Sequence, residues 1–368
     1  MTNTDWAAQW ENSVGTPLSR RWRRWYWTMP LLILLCLGLL WLSLTIGVGS
    51  VTLTPPQIWR AITAPDTASR LEIIATNARL ARGLMGLGVG VALGMAGALL
   101  QALYRNPLAD PSITGVTQGA VTAAVAWLVF GPAQESGELV WVLPGVSAIG
   151  ALLSATATWS ITRLGGKVEP TRLILIGVLV GGVLGAITSI ALLWADERIQ
   201  MLVNWLSGSL AWSTWQKVSL LSGSLLVVLP LALIAIPLAN VLQFGDDVSA
   251  GLGQSATPAR AIVLIAACML TAAAVCTVGG VGFVGLVAPH LLRWWVGSDL
   301  RRLVPAAGLA GGALVLLADF VARNLRPGDV EALLGIPLNT NQATLPVGVY
   351  LALLGGPFFL FLLRRTQR

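Results

Sequence analysis

Apolar residues in this chain do not alternate with polar ones. They run on in unbroken stretches of about 20, separated by short polar segments. A run of that length crosses a ~30 Å hydrocarbon core as a helix. The pattern predicts helices over residues 29–48, 80–104, 114–131, 140–162, 171–194, 216–242, 258–278, 282–297, 303–323 and 345–363, the eighth short and glycine-rich. In lipid the backbone must satisfy its own hydrogen bonds, which leaves helices or a closed barrel. Continuous rather than alternating apolarity selects helices. The expected fold is therefore all-α and integral to the membrane, with about ten transmembrane helices in one domain spanning 29–365. A cytoplasmic tail, residues 1–28, precedes it.

Small residues predict close packing. Gly86, Gly90 and Gly94 recur at four-residue spacing in the second helix, and Gly177, Gly181 and Gly185 do so in the fifth. Such rows let backbones approach. They suit either static packing or a helix that lines a translocation pathway. Helices two to five would start outside and helices seven to ten inside, as in an inverted repeat.

Composition supports the membrane reading. The 368 residues are 55% hydrophobic and only 11% charged, against about 25% charged in soluble domains. The net charge of +7 is not read as a nucleic-acid surface. Arg20, Arg21, Arg23 and Arg24 precede the first span, and no small-x-small cleavage site follows it, so that span is expected to be retained. With the N-terminus inside, the internal segments and adjoining helix ends hold about fifteen Lys and Arg, among them Arg105, Lys167, Arg260, Arg293, Arg301 and Arg302. The outer side holds about eight. An even helix count returns the C-terminus to the cytoplasm. Trp22, Trp25, Trp27, Trp194, Trp205, Trp212 and Trp215 fall near the interfaces, where amphipathic rings are at home.

The chain lacks the usual signatures of an enzyme. It has no GxxxxGK[ST] phosphate loop, no nucleophile–base pair and no His/Cys/Asp/Glu cluster at metal-ligand spacing. Cys36, Cys268 and Cys276 lie inside apolar runs, where neither a disulfide nor a metal role is expected. His290 follows Pro289 and is read as a structural hydrogen-bonding residue rather than a haem ligand. Asp319, an acid near the end of the ninth span, is the main candidate for ion coupling. Arg323 at i+4 offers it a structural ion pair instead. A secondary transporter would need Asp319 to couple.

Particular segments carry a resemblance. Arg79-Leu80-Ala81-Arg82 leads to Ala98-Leu99-Leu100-Gln101, then to Asn106-Pro107-Leu108-Ala109-Asp110-Pro111 and Gly115-Val116. Further on stand Val281-Gly282-Phe283-Val284-Gly285-Leu286-Val287-Ala288-Pro289-His290, Leu316-Leu317-Ala318-Asp319 with Arg323, and Leu345-Pro346-Val347-Gly348-Val349. In this order, over residues 29–365, they resemble the permeases of ABC importers for ferric siderophores, haem and vitamin B12. The chain departs from that pattern at Ala81, where the family usually carries Pro, and at Thr344, where an acid is common. Its loop over 324–344 is also longer.

The resemblance implies a vitamin-B12-importer-like fold and a set of partners. Two cytoplasmic ABC ATPases would bind the ATP and Mg, so no cofactor is expected in this chain. A periplasmic binding protein would deliver the chelate, and a second permease, identical or related, would complete the pathway in the lipid of the bacterial inner membrane. The cargo would be an iron(III)-siderophore, with haem or cobalamin as alternatives. The resemblance places ATPase coupling on Gly245, Asp246, Asp247, Ser249, Gly251, Leu252 and Gly253, where a short amphipathic helix would meet the partner. It places binding-protein docking on Arg79, Arg82 and Arg323, whose guanidinium groups suit carboxylates; the 327–340 insertion, a departure from the family, is expected to add a contact of its own. The cytoplasmic gate would involve Glu169, Pro170 and Thr171, with Asn106, Pro107 and Asp110 as a rigid internal turn.

Overall fold

The computed structural model describes residues 18–46, 53–132, 139–166, 168–195, 202, 205–324 and 346–366. Among these, twelve α-helices follow in chain order: α1 (Leu18–Thr45), α2 (Pro55–Thr63), α3 (Arg70–Leu103), α4 (Val116–Phe130), α5 (Leu139–Leu164), α6 (Pro170–Leu192), α7 (Trp215–Leu242), α8 (Asp246–Gly251), α9 (Ala256–Val278), α10 (Val284–Val296), α11 (Leu300–Asn324) and α12 (Val347–Thr366). Each apolar segment expected from the sequence coincides with one of them. Seven, namely α1, α3, α5, α6, α7, α9 and α11, are long and apolar enough to cross a membrane. Helices α4, α10 and α12 are shorter. The 327–340 insertion, Lys167 and the first 17 residues lie outside the described residues.

Local signals outside the hydrophobic pattern set several boundaries. α3 begins at Arg70 rather than 80 because Ser69 and Glu72 form a reciprocal cap, with Ser69 N–H donating to Glu72 at 2.9 Å and Glu72 N–H to Ser69 Oγ at 3.2 Å. α1 reaches back to Leu18, so Arg20 to Arg24 belong to a helix continuous with the first span. α2 has no counterpart among the expected helices. Pro55 at its first position and Gln57, which accepts the Thr54 N–H at 2.7 Å, start it. It is amphipathic, burying Ile58 against Leu44 and Leu53 while Trp59 and Ile62 stay exposed.

α3 is the hub, packed against α1, α7, α9, α10 and α11. Its glycines make this possible. A Cβ at Gly90 would lie 2.2 Å from the Gly311 carbonyl oxygen, and one at Gly94 would lie 2.1 Å from that of Ala307. This row is a packing seam with α11. α6 sits toward the periphery, against α4 and α5. Gly177 meets the 3₁₀ turn Pro111–Thr114, where a Cβ would come 2.7 Å from the Ile113 oxygen; Gly181 and Gly185 have ordinary contact distances. Leu175, Val178, Leu179 and Val183 form an exposed apolar face on α6. The three cysteines are free and buried.

Candidate functional site

Two clusters of ionisable residues stand at different levels along α3, one beside Arg79 and Arg82 within the helix and one just beyond its C-terminus. Arg82 and Arg105 are 23 residues apart, about 34 Å at the helical rise.

The first cluster brings α1, α3 and α11 together. Arg82 Nε and Nη2 both lie 2.9 Å from Asp319 Oδ1. Arg323 Nε lies 3.0 Å from Asp319 Oδ2, one helical turn on. Arg323 also donates to the Ser43 carbonyl at 3.2 Å and to the Ser43 hydroxyl. Arg79 Nη1 donates to the Leu44 carbonyl at 2.8 Å. Asp319 is 1% exposed. Two guanidinium groups balance the charge of the buried carboxylate, as removal from water requires, with Oδ1 accepting the hydrogen bond and Oδ2 held by ion pairing alone. The i+4 ion pair was legible in the sequence; the share taken by Arg82, 237 positions away, was not. Of the three arginines expected to dock a partner, Arg79 and Arg82 are half-buried, whereas Arg323 is 5% exposed and turned onto Asp319 and Ser43. Three guanidinium groups near one carboxylate leave this cluster with an excess of positive charge.

The second cluster gathers four segments. α8 lies between Gly245 (φ 112°) and Gly253 (φ 75°), left-handed positions that favour glycine. Of its expected coupling residues, Asp246, Asp247, Gly251, Leu252 and Gly253 are exposed, while Ser249 faces inward. Phe244, Val248 and Leu252, four apart, form an exposed apolar ridge. Asp246 meets basic groups of this chain itself. Arg105 Nη2 donates to Asp246 Oδ1 at 2.5 Å, and Arg260 Nη2 donates to the same oxygen. Arg260, read from sequence as an interfacial flank, is 3% exposed, and its Nη1 donates to the Val168 carbonyl at 2.5 Å. Val168 directly precedes Glu169, Pro170 and Thr171, of which Pro170 opens α6. No local sequence signal announces that Arg105 and Arg260 converge on one carboxylate.

The turn after Arg105 is locally determined. Asn106 Oδ1 accepts the Leu108 N–H at 2.9 Å, and Asp110 Oδ1 accepts the Ser112 N–H at 2.9 Å. Pro107 and Pro111 fix φ on either side. Burial pushes the Asp110 carboxyl above the usual carboxylate range, opposed by hydrogen bonds from Ser112 and the Leu286 backbone. Pro111 abuts Gly285, where a Cβ would lie 2.3 Å from the proline ring, and Gly285 in turn meets Gly97 of α3. Gln101 donates to the Leu286 carbonyl at 3.2 Å and accepts from Arg293 at 3.2 Å. The motif segments around 97–101, 106–111 and 281–290 are therefore one packed junction. His290 stacks edge-on against Trp294 and Phe358.

Comparison with known proteins gives a consistent result. Residues 34–365 match the FecCD transport family. The Fe(3+)-citrate import system permease protein YfmE of Bacillus subtilis is 32% identical over 342 residues, covering 92% of this chain and 96% of that protein. The cobalamin import system permease protein BtuC of Halobacterium salinarum is 36% identical, covering 90% and 81%. The hemin transport system permease protein HmuU of Yersinia pestis is 33% identical, covering 92% and 94%. A solved structure described as an inward-facing conformation of a metal-chelate type ABC transporter aligns with TM-score 0.74 at 29% identity, over 91% of this chain and 97% of that one.

Proposed function

This chain belongs to the FecCD transport family, and from that membership we propose that it is the membrane-spanning permease subunit of an ATP-driven importer in a bacterial inner membrane, carrying an iron(III)-siderophore. The observation that carries the proposal is the near full-length match to permeases of import systems, joined to a helical fold like that of a metal-chelate transporter. The surroundings of Asp319 favour it over a secondary transporter. That carboxylate, the candidate for ion coupling, is sealed between two arginines.

The mechanism runs along α3, between the level of Arg82 and the loop beyond its C-terminus. At the outer end Arg79 and Arg82 receive carboxylates of a periplasmic binding protein, while Arg323 stands behind them and holds Asp319. At the inner end the ridge of Phe244, Val248 and Leu252 seats against one of two cytoplasmic ATPases, which bind the ATP and Mg. Glu169, Pro170 and Thr171, with the turn from Asn106 to Asp110, form the gate. Gly177, Gly181 and Gly185 form the α6 face that packs along residues 113–118, with Gly177 the close contact, and a second permease, identical or related, faces α6 across the pathway. Chelate binding alone could shift the outward–inward equilibrium only by its differential affinity, so the ATPases supply the drive. The relatives named for citrate, cobalamin and hemin systems differ little in identity, 32–36%, so haem and cobalamin are the alternative cargoes.

The test is uptake into proteoliposomes containing this chain, its ATPase, its binding protein and any second permease. ATP-dependent accumulation of labelled ferric siderophore, and not of haem or cobalamin, is expected. Accumulation of another chelate would reassign the cargo. Uptake driven by a proton gradient without ATP would overturn the importer reading.

A further inference from the structure

We propose that Asp246 is the node through which α8 moves both internal loops, with Arg105 and Arg260 as the two positioning residues. The inference rests on the reading above and assigns the transmission step to particular atoms. One carboxylate oxygen, Asp246 Oδ1, accepts from both arginines. Arg105 itself begins the loop that continues into Asn106, Pro107 and Asp110. Arg260 reaches the other loop through the Val168 carbonyl. Segments remote in sequence thus share a single anchor on the first residue of α8.

The mechanical properties of the parts fit this role. Gly245 and Gly253 flank α8 with backbone angles open to glycine, which suits a short helix moving as a unit between two hinges. The loops are stiff. Pro107 and Pro111 fix one, and Pro170 starts α6 directly after the other. Arg105 is held at φ 50°, uncommon for a residue other than glycine, so the backbone around it is over-determined.

The two links differ in strength. Arg105 is 37% exposed at its side chain and can exchange its partner for water. Arg260 is 3% exposed at its side chain, so detaching it from Asp246 would leave a buried cation without its counter-charge. When α8 shifts, the Arg260 bond is the one that holds, and the Val168 segment must follow. Arg260 is therefore the principal link to the gate and Arg105 the lesser one.

The experiment uses the whole importer in proteoliposomes and compares wild type with Asp246→Asn, Arg260→Lys and Arg105→Gln. ATP hydrolysis, ATPase association and chelate uptake are measured together. Gate response is read as the alkylation rate at Thr171→Cys with and without ATP, the native cysteines being buried. Asp246→Asn and Arg260→Lys are expected to lose about tenfold in chelate imported per ATP hydrolysed and to abolish the ATP response at 171. Arg105→Gln should lose about threefold, and its half-exposed position keeps the test open if Arg260→Lys does not fold. Unchanged uptake per ATP in Asp246→Asn and Arg105→Gln overturns the proposal. Loss of ATPase association overturns it too, by making these residues docking contacts. Absence of ATP-driven uptake in the wild type is a different failure, which removes the importer reading itself.

Discussion

At the residue scale, two carboxylates show how burial decides what an acid does. Asp319 is fully enclosed and stays balanced because Arg82 and Arg323 reach it. Asp319→Ala leaves Arg323 buried with only Ser43 and backbone oxygens to accept from it. The expected cost is about 3–5 kcal/mol, seen as a lower thermal midpoint in detergent. Asp319→Ala with Arg323→Met should recover part of it. Asp110 is the opposite case. Its folded-state pKa is raised by burial, so the fold favours the neutral acid. That contribution is complete below the unfolded value of about 4 and is lost as pH rises through the higher folded value. Asp110→Asn keeps the acceptor for Ser112 without the charge. The stability of the variant relative to wild type should therefore increase with pH across that window, measured by thermal unfolding at several pH values.

At the element scale, glycines on two helices carry different structural weight. Along α3, Gly90 and Gly94 meet the α11 backbone, whereas a methyl group at Gly182 of α6 would stand in open space. Gly94→Ala should destabilise by about 1–3 kcal/mol through overpacking. Gly182→Ala should be neutral or stabilising by up to about 1 kcal/mol through helix propensity. Unfolding midpoints of the two variants check this. Boundaries follow the same logic. The apolar runs located the helices, but the Ser69–Glu72 cap, lying ahead of residue 80, set where α3 begins.

At the scale of the whole molecule, two polar clusters stand far apart on an apolar body, and the proposed function gives them separate tasks. The Asp319 cluster, outer in the proposed function, has an excess of guanidinium groups. Arg79→Gln with Arg82→Gln should weaken binding-protein affinity about tenfold or more, and wild-type affinity should fall with added salt as partly exposed charges are screened. Surface plasmon resonance on the reconstituted permease would measure both. Uptake per ATP at saturating binding protein should be preserved, because the inner cluster is about 34 Å away.

Fold class and family were both legible in the sequence. Only helices satisfy a backbone through continuous apolar runs, and the ordered motifs span nearly the whole chain. Pairs close in sequence, such as Asp319 with Arg323, were legible too, since helical geometry alone brings i and i+4 together. The remaining links needed the folded chain. Arg82 on Asp319, Arg260 on Asp246 and Val168, and Gly90 on Gly311 join positions whose separation no local rule encodes. Whether a charge is an exposed flank or a buried link depends on which helices close over it. Packing sets that enclosure, and the spacing of residues along the chain does not.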